Sequence, residues 1–112
     1  SLGGVRACML ADDPAVAGLV LFGSYCATDL SGSGLDVLSI GGSEDGLSTP
    51  SKIADAASLV PPSATFVEIE GLTHAQFGNY GAQSGDGVAT ITSREARAAI
   101  AAAVAEFLAS AG

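Results

Sequence analysis

Three residues of the sequence have side chains that could act together in nucleophilic catalysis, and they occur in the order Ser1, Asp45 and His74. A serine hydroxyl attacks well only when a base within hydrogen-bond reach takes its proton. That base needs an acidic partner, which fixes its tautomer and stabilises its cation. His74 is the only histidine of the chain, so it is the one imidazole available for this role. The three residue types together predict a serine nucleophile activated by a histidine–aspartate pair.

Each of these residues also has a purely structural interpretation. Ser1 could cap the helix that follows it, because serine is favoured at that position. Asp45 precedes a glycine and could form an Asx turn, and His74 could be a loop histidine whose ring bonds the backbone. Asp36 and Asp29 compete as the acid, but Asp36 begins a predicted strand at the wrong end and Asp29 sits in a connection.

Three apolar runs predict the β-strands that must position these residues, at 16–23, 35–42 and 65–70. The first two runs are continuous, which is typical of parallel strands buried on both faces. The third, TFVEIE, alternates, which fits a sheet edge with one wetter face. The connection between the first two strands is only about ten residues long and has no helical pattern, yet an extended chain can span the crossing.

Three helices are predicted around these strands. The first ends at the DDP sequence, and its apolar face consists of Leu2, Val5, Met9 and Leu10. The second begins with Thr49 as its cap and Pro50 in its first turn, it ends at the Pro-Pro pair 61–62, and its apolar side consists of Ile53, Ala56, Ala57 and Val60. The third begins near Thr92, with Glu95 in capping-box spacing, and its apolar stripe consists of Ile100, Val104, Phe107, Leu108 and Ala111.

This order of elements predicts an α/β fold, with a parallel sheet of about three strands flanked by helices in a single domain over residues 1–112. Ligand sites of open parallel sheets lie at the carboxyl ends of the strands. Asp45 and His74 each follow a predicted strand, so both are expected at that edge, while Ser1 stands just ahead of the first helix. Asp86, within the long loop 71–87, is interpreted as a turn residue.

The composition argues against several classes of partner and site. The chain has 12 acidic and 4 basic residues and a net charge of −8, which would repel nucleic acids and anionic lipids. No uninterrupted apolar run of about 18 residues predicts a membrane span. A metal site is not expected, because the chain has one histidine and no spacing of metal ligands.

Cys8 and Cys26 are the only cysteines. We expect two buried thiols, because an unpaired cysteine behaves as a small apolar residue. We expect no disulfide between them, because the predicted elements place them apart. Cys8 is placed two turns along its helix, about 10 Å from its start. Cys26 is placed at the top of its strand.

The motifs around these residues resemble the α/β-hydrolase family, in which the catalytic residues follow the order Ser, Asp, His. SLGG matches the second half of the family's G-x-S-x-G nucleophile motif. SIGGSEDGLSTPSKI is similar to the acid loop, with Asp45 in the place of the acid. IEGLTHAQFGNYG resembles the histidine loop of a bacterial branch similar to dienelactone hydrolases and small carboxylesterases. The resemblance covers essentially the whole chain and corresponds to the carboxyl-terminal half of the family's domain.

The resemblance implies a serine carboxylesterase that acts on a small-molecule ester and needs no cofactor. Ser1 would form the acyl-enzyme, His74 would carry the proton and Asp45 would orient His74. The backbone N–H of Leu2 would be one oxyanion donor, and a loop after an early strand of the family's fold would provide the other. The expected pocket residues are Tyr25, Phe77 and Tyr80.

That early loop and the roughly five strands that precede the nucleophile in the family's fold are absent from this sequence, which leaves three alternatives. The chain is one piece of a hydrolase whose amino-terminal half lies elsewhere. It is a free-standing hydrolase that covers its exposed sheet edge, along 16–23, by self-association. Or it is a non-catalytic binding or interaction module with the same architecture.

Overall fold

The computed structural model of the protein describes residues 2–11, 18–77 and 84–110, and the side chains of the first helix from Ala7 onward. The elements in chain order are α1 (Leu2–Ala11), β1 (Gly18–Phe22), β2 (Asp36–Gly42), α2 (Pro50–Asp55), β3 (Thr65–Ile69) and α3 (Ser93–Ser110). Two short 3₁₀ helices lie at Ala57–Leu59 and His74–Phe77. The predicted α/β class is confirmed.

The three strands form one parallel sheet, as the sequence predicts, and their order in it is β1-β2-β3. In this register Ile40 of β2 lies between Phe22 of β1 and Val67 of β3. β2 is buried along its length after Asp36, which confirms the prediction that this strand is buried on both faces. β1 is not buried on both faces as predicted. Its burial alternates, and Phe22 is 44% exposed, because within the described residues β1 is an edge strand.

Helices cover the two faces of the sheet. Successive residues of a strand point to opposite faces. On one face, Val37 joins residues of α1 and β1 in the main apolar core, and a side chain at Gly41 would meet Ile53 of α2. On the other face, Leu38 lies beside Ala103 and Phe107 of α3. The sheet is therefore a middle layer, with α1 and α2 on one side and α3 on the other.

The buried side of α1 differs from the one predicted. Met9 and Leu10 are 61% and 73% exposed, whereas Cys8 and Ala11 are buried in the core. Cys8 and Ala11 share the core with Leu19 and Leu21 of β1, and a covalent bond from Cys8 holds that side of α1 against the core. The predicted apolar face is therefore wrong at Met9 and Leu10, and the side chains of Leu2 and Val5 lie outside the described residues.

The prediction that Cys8 and Cys26 do not pair is also wrong, because the two residues form a disulfide with their Cα atoms 5.5 Å apart. Cys26 does not lie on the strand. It lies in the connection after β1, which turns back over the core beside α1, and it is only 2% exposed. The connection has no helix over residues 23–35, as predicted, and Leu30 anchors it: the side chain is buried and the N–H donates to the carbonyl of Leu59 at 2.6 Å.

The predicted helix starts are confirmed by their caps. The N–H of Lys52 donates to the Thr49 hydroxyl at 3.2 Å at the start of α2. At the start of α3, the N–H of Glu95 donates to the Thr92 hydroxyl at 3.1 Å, and the N–H of Thr92 donates to the Glu95 carboxylate at 2.9 Å.

The ends and faces of the same helices differ in part from the prediction. α2 ends at Asp55, earlier than predicted. A 3₁₀ helix then leads to the buried Val60. Leu108, which belongs to the predicted apolar stripe of α3, is 64% exposed, because the inner face of the helix consists of Ala96, Ala103 and Phe107. Ala111 lies outside the described residues. No helix within 2–11, 18–77 or 84–110 combines the length and apolar character needed to cross a membrane.

Candidate active site

Asp45 and His74 meet at the carboxyl edge of the sheet. Asp45 lies just after the end of β2, and His74 begins the 3₁₀ helix after β3. The Nδ1 atom of His74 lies 2.9 Å from Oδ2 of Asp45. The Asp45 side chain is fully buried, and the His74 side chain is 16% exposed. The expectation that parallel strands bring these two residues to the same edge is therefore met.

The two oxygens of Asp45 have different partners. Oδ1 accepts the N–H groups of Leu47 and Ser48, both at 2.8 Å. These bonds form the Asx-type turn of the structural interpretation, and they leave Oδ2 for His74. A buried carboxylate is tolerable only when hydrogen bonds replace its lost water. Three such bonds do so here, and they fix the direction in which Oδ2 points.

The contact with Asp45 determines what the His74 ring can do. A carboxylate oxygen only accepts hydrogen bonds, so in the neutral ring the proton lies on Nδ1 and donates to Oδ2. Nε2 then keeps its lone pair, and the ring is partly exposed to solvent. This is the tautomer of a general base whose cation is stabilised by a neighbouring acid.

The loops that carry Asp45 and His74 are bonded to each other through the backbone. The N–H of Glu44 donates to the carbonyl of Leu72 at 3.0 Å, and the N–H of Gly71 donates to the hydroxyl of Ser43 at 2.8 Å. Gly42 lies so close to Leu72 that a Cβ atom would collide with the Leu72 carbonyl. The absence of a side chain at Gly42 therefore permits the approach of the two loops.

Asp86 is the residue at this site whose role the sequence prediction missed. Its Oδ1 accepts the N–H groups of Gly46, His74 and Gly87 at 3.1, 3.0 and 2.9 Å, and its Oδ2 accepts that of Ala75 at 2.9 Å. Burial alone would raise the pKa of Asp86, but these four hydrogen bonds together lower it below its ordinary value of 3.8. The available signal was its glycine-flanked SGDG sequence, which resembles the SEDG sequence around Asp45.

Residues 1–98 match the family model described as the alpha/beta hydrolase family. The chain belongs to the α/β-hydrolase family. The predicted family is thereby confirmed, and membership supports a hydrolase-type function. No curated protein matches the chain significantly.

In this α/β-hydrolase, an aromatic pair lies beside the histidine. The Phe77 ring is 6.4 Å from the His74 ring and 6.3 Å from the Phe22 ring, measured between centroids. Gly23, at the end of β1, has a positive φ of 53°, and a Cβ atom there would lie 2.7 Å from the Phe77 ring and 3.0 Å from Oδ2 of Asp45. The end of β1 thus packs directly against both Asp45 and the predicted pocket residue Phe77.

The other predicted site residues of the hydrolase are placed as follows. Tyr25 is half-buried and lines a small cleft on the α2 side of the sheet, with Ser39 and Phe66 among its neighbours. Leu2 begins α1. Ser1 and Tyr80 lie outside the described residues.

The two competing acids, Asp36 and Asp29, lie away from His74. Asp36 is exposed at the opposite end of β2, and Asp29 is exposed and bonds to Ser31 in its own turn. Within the described parts of the chain, no group of three or more His, Cys, Asp and Glu side chains could hold a metal ion.

Proposed function

We propose that this α/β-hydrolase is a serine esterase that cleaves small-molecule carboxylic esters through an acyl-enzyme, in a branch similar to dienelactone hydrolases and small carboxylesterases. The observation that carries the proposal is the 2.9 Å contact between Nδ1 of His74 and Oδ2 of the buried Asp45. The order Ser1, Asp45, His74 supplies the nucleophile at the position that the family's motif predicts.

In the proposed mechanism, the hydroxyl of Ser1 attacks the ester carbonyl as its proton passes to Nε2 of His74. The oxyanion accepts the backbone N–H of Leu2 and a second donor. His74 then gives the proton to the leaving alcohol, and an acyl-enzyme remains. Water attacks this ester by the same route, which releases the acid and restores Ser1. Asp45 stabilises the imidazolium in both steps.

The proposed partner is the amino-terminal half of an α/β-hydrolase fold, docked beside β1. No strand pairs with the outer edge of β1 among the described residues, and Phe22 at its end is exposed. Met9 and Leu10 of α1 expose further apolar surface. Light scattering coupled to size exclusion should find a monomer that binds a hydrophobic dye, less strongly after Met9→Ser and Leu10→Ser. A stable dimer of the chain would instead assign this surface to self-association.

Covalent labelling tests the proposed activity. A fluorophosphonate probe should modify Ser1, as located by peptide mass spectrometry, and Ser1→Ala should abolish the label. Ser51→Ala is the matched control, because Ser51 is also a serine near the start of a helix and is exposed. His74→Ala should lower the hydrolysis of p-nitrophenyl acetate by about 10²–10⁴-fold. Unchanged hydrolysis in His74→Ala would contradict the proposal, and an unlabelled chain would favour a binding module.

A further inference from the structure

Asp86 connects three backbone segments that are distant in sequence. Its carboxylate accepts from Gly46, next to the candidate acid, from His74 and Ala75 in the histidine segment, and from Gly87 in its own segment. Hydrogen bonds to an ionised carboxylate are stronger than those between neutral groups. Four of them converge on one side chain, so the relative position of the three segments depends on it.

Backbone packing supplies an independent observation on the same contact. A Cβ atom at Gly46 would collide with the carbonyl of Gly85, and one at Gly87 would collide with the carbonyl of Glu44. Residues 84–87 therefore lie directly on the turn that contains Asp45, backbone against backbone. The glycines on each side make this approach possible, and the Asp86 carboxylate bonds across it.

We propose that Asp86 is a positioning residue, which holds the backbone of His74 and the Asp45 turn in the register that their side-chain contact needs. This inference rests on the proposed function for its kinetic consequence, but its structural content concerns the His74–Asp45 contact alone.

The physical argument concerns how the His74 ring is held. Two hydrogen bonds hold His74 in place: the ring Nδ1 bonds to Asp45, and the backbone N–H bonds to Asp86. Without Asp86, the N–H groups of His74 and Ala75 lose their acceptor, and the 3₁₀ helix that begins at His74 loses its amino-terminal bonds. A displacement of about 1 Å at a catalytic group can cost about 10²-fold in rate.

Two substitutions remove the hydrogen bonds of Asp86 to different extents. Asp86→Ala removes all four acceptor contacts. Asp86→Asn can keep an oxygen at the Oδ1 position for Gly46, His74 and Gly87, but its amide N–H₂ would face the N–H of Ala75. Asp29→Ala is the matched control, because Asp29 also accepts backbone and hydroxyl bonds but does so in an exposed turn away from the site.

Proton NMR of the 112-residue chain gives a readout that does not require activity. His74 is the only histidine, so the Nδ1 proton in its hydrogen bond to Asp45 needs no assignment by mutation. We expect a slowly exchanging Nδ1 proton in the wild type and in Asp29→Ala. The proton should exchange faster in Asp86→Asn and should be lost in Asp86→Ala. On p-nitrophenyl acetate, Asp86→Ala should lower kcat by about 10²-fold with a smaller change in KM, and Asp86→Asn should restore part of the loss.

The outcomes separate this inference from the proposed function. If the chain hydrolyses no ester but the Nδ1 proton responds as expected, the positioning role stands and the esterase proposal fails. If Asp86→Ala lowers the melting temperature but leaves the Nδ1 proton and kcat as in Asp29→Ala, the role is only structural and the inference is wrong. If Asp86→Ala does not fold, an Asp86→Asn variant with wild-type proton exchange and kcat overturns it equally.

Discussion

Cys8 in α1 and Cys26 in the connection after β1 form a disulfide, and both residues are almost fully buried. The bond ties the helix that follows Ser1 to the connection that leaves the carboxyl end of β1. The two residues are 18 positions apart in sequence, so the bond closes a loop of moderate length in the unfolded chain.

We expect this bond to stabilise the fold by restricting the unfolded chain. Replacing both cysteines by alanine should lower the free energy of unfolding by about 3 kcal/mol, as expected for a loop of this length. Urea unfolding measures the change. Reductant should destabilise the wild type to a similar degree and leave the double variant unaffected. A double variant as stable as the oxidised wild type would show that the bond contributes nothing.

Asp45→Asn should abolish activity while it preserves the turn. The asparagine oxygen can still accept from Leu47 and Ser48, but its amide group faces His74 and donates to Nδ1. The ring proton then moves to Nε2, which can no longer accept the proton of a nucleophile. We expect kcat to fall by about 10⁴-fold, as for the corresponding change in other triads. Asp36→Asn, at the exposed start of β2, is the control and should keep full activity in the same assay.

Gly23→Ala should lower both stability and activity, because Gly23 lies at the end of β1 against Asp45 and Phe77. The positive φ of 53° costs a residue with a Cβ atom about 1–2 kcal/mol. The new methyl group would also press on the Phe77 ring and on Oδ2 of Asp45. We therefore expect a lower melting temperature and a lower kcat.

Gly32→Ala provides the comparison for that variant, because nothing lies within 4 Å of a Cβ atom at Gly32. It should be close to wild type in both measurements. Equal behaviour of the two alanine variants would show that the end of β1 does not restrain the acid and Phe77.

Asp86 should make stability fall at acidic pH. Its pKa is lower in the folded protein than its ordinary value of 3.8, so its contribution is fully present above that value. The contribution is lost as the pH falls below 3.8 through the folded-state pKa, because a protonated carboxyl no longer accepts all four N–H groups. Urea unfolding at about pH 6 and about pH 3 should show a smaller loss in Asp86→Asn than in the wild type.

Asp29→Asn is the control for this pH dependence. The pKa of Asp29 is also lowered, by its bonds with Ser31, but the side chain is exposed and bonds only within its own turn. Because solvent screens these exposed bonds, its variant should keep more of the acid-induced loss of the wild type than Asp86→Asn does. If Asp86→Asn and the wild type lose the same free energy, Asp86 is not the group responsible.

The local features of the fold were predictable from sequence because each depends on neighbouring residues. Apolar runs identified the three strands, and Thr49 and Thr92 identified two helix starts, since a cap and its N–H donor lie within three residues. Strand order in the chain also placed Asp45 and His74 at one edge, because parallel strands share a direction.

Features that depend on how the elements pack were decided by the tertiary structure. The pairing of Cys8 with Cys26 and the exposure of Met9 and Leu10 follow from the path of the connection after β1, which no local pattern specifies. The sequence predicts only a turn residue at Asp86, yet its carboxylate lies where backbone segments 40 residues apart in sequence meet. The sequence by itself determined the residue types available for chemistry. Their distances and partners were decided by long-range packing of loops whose glycines allow close approach.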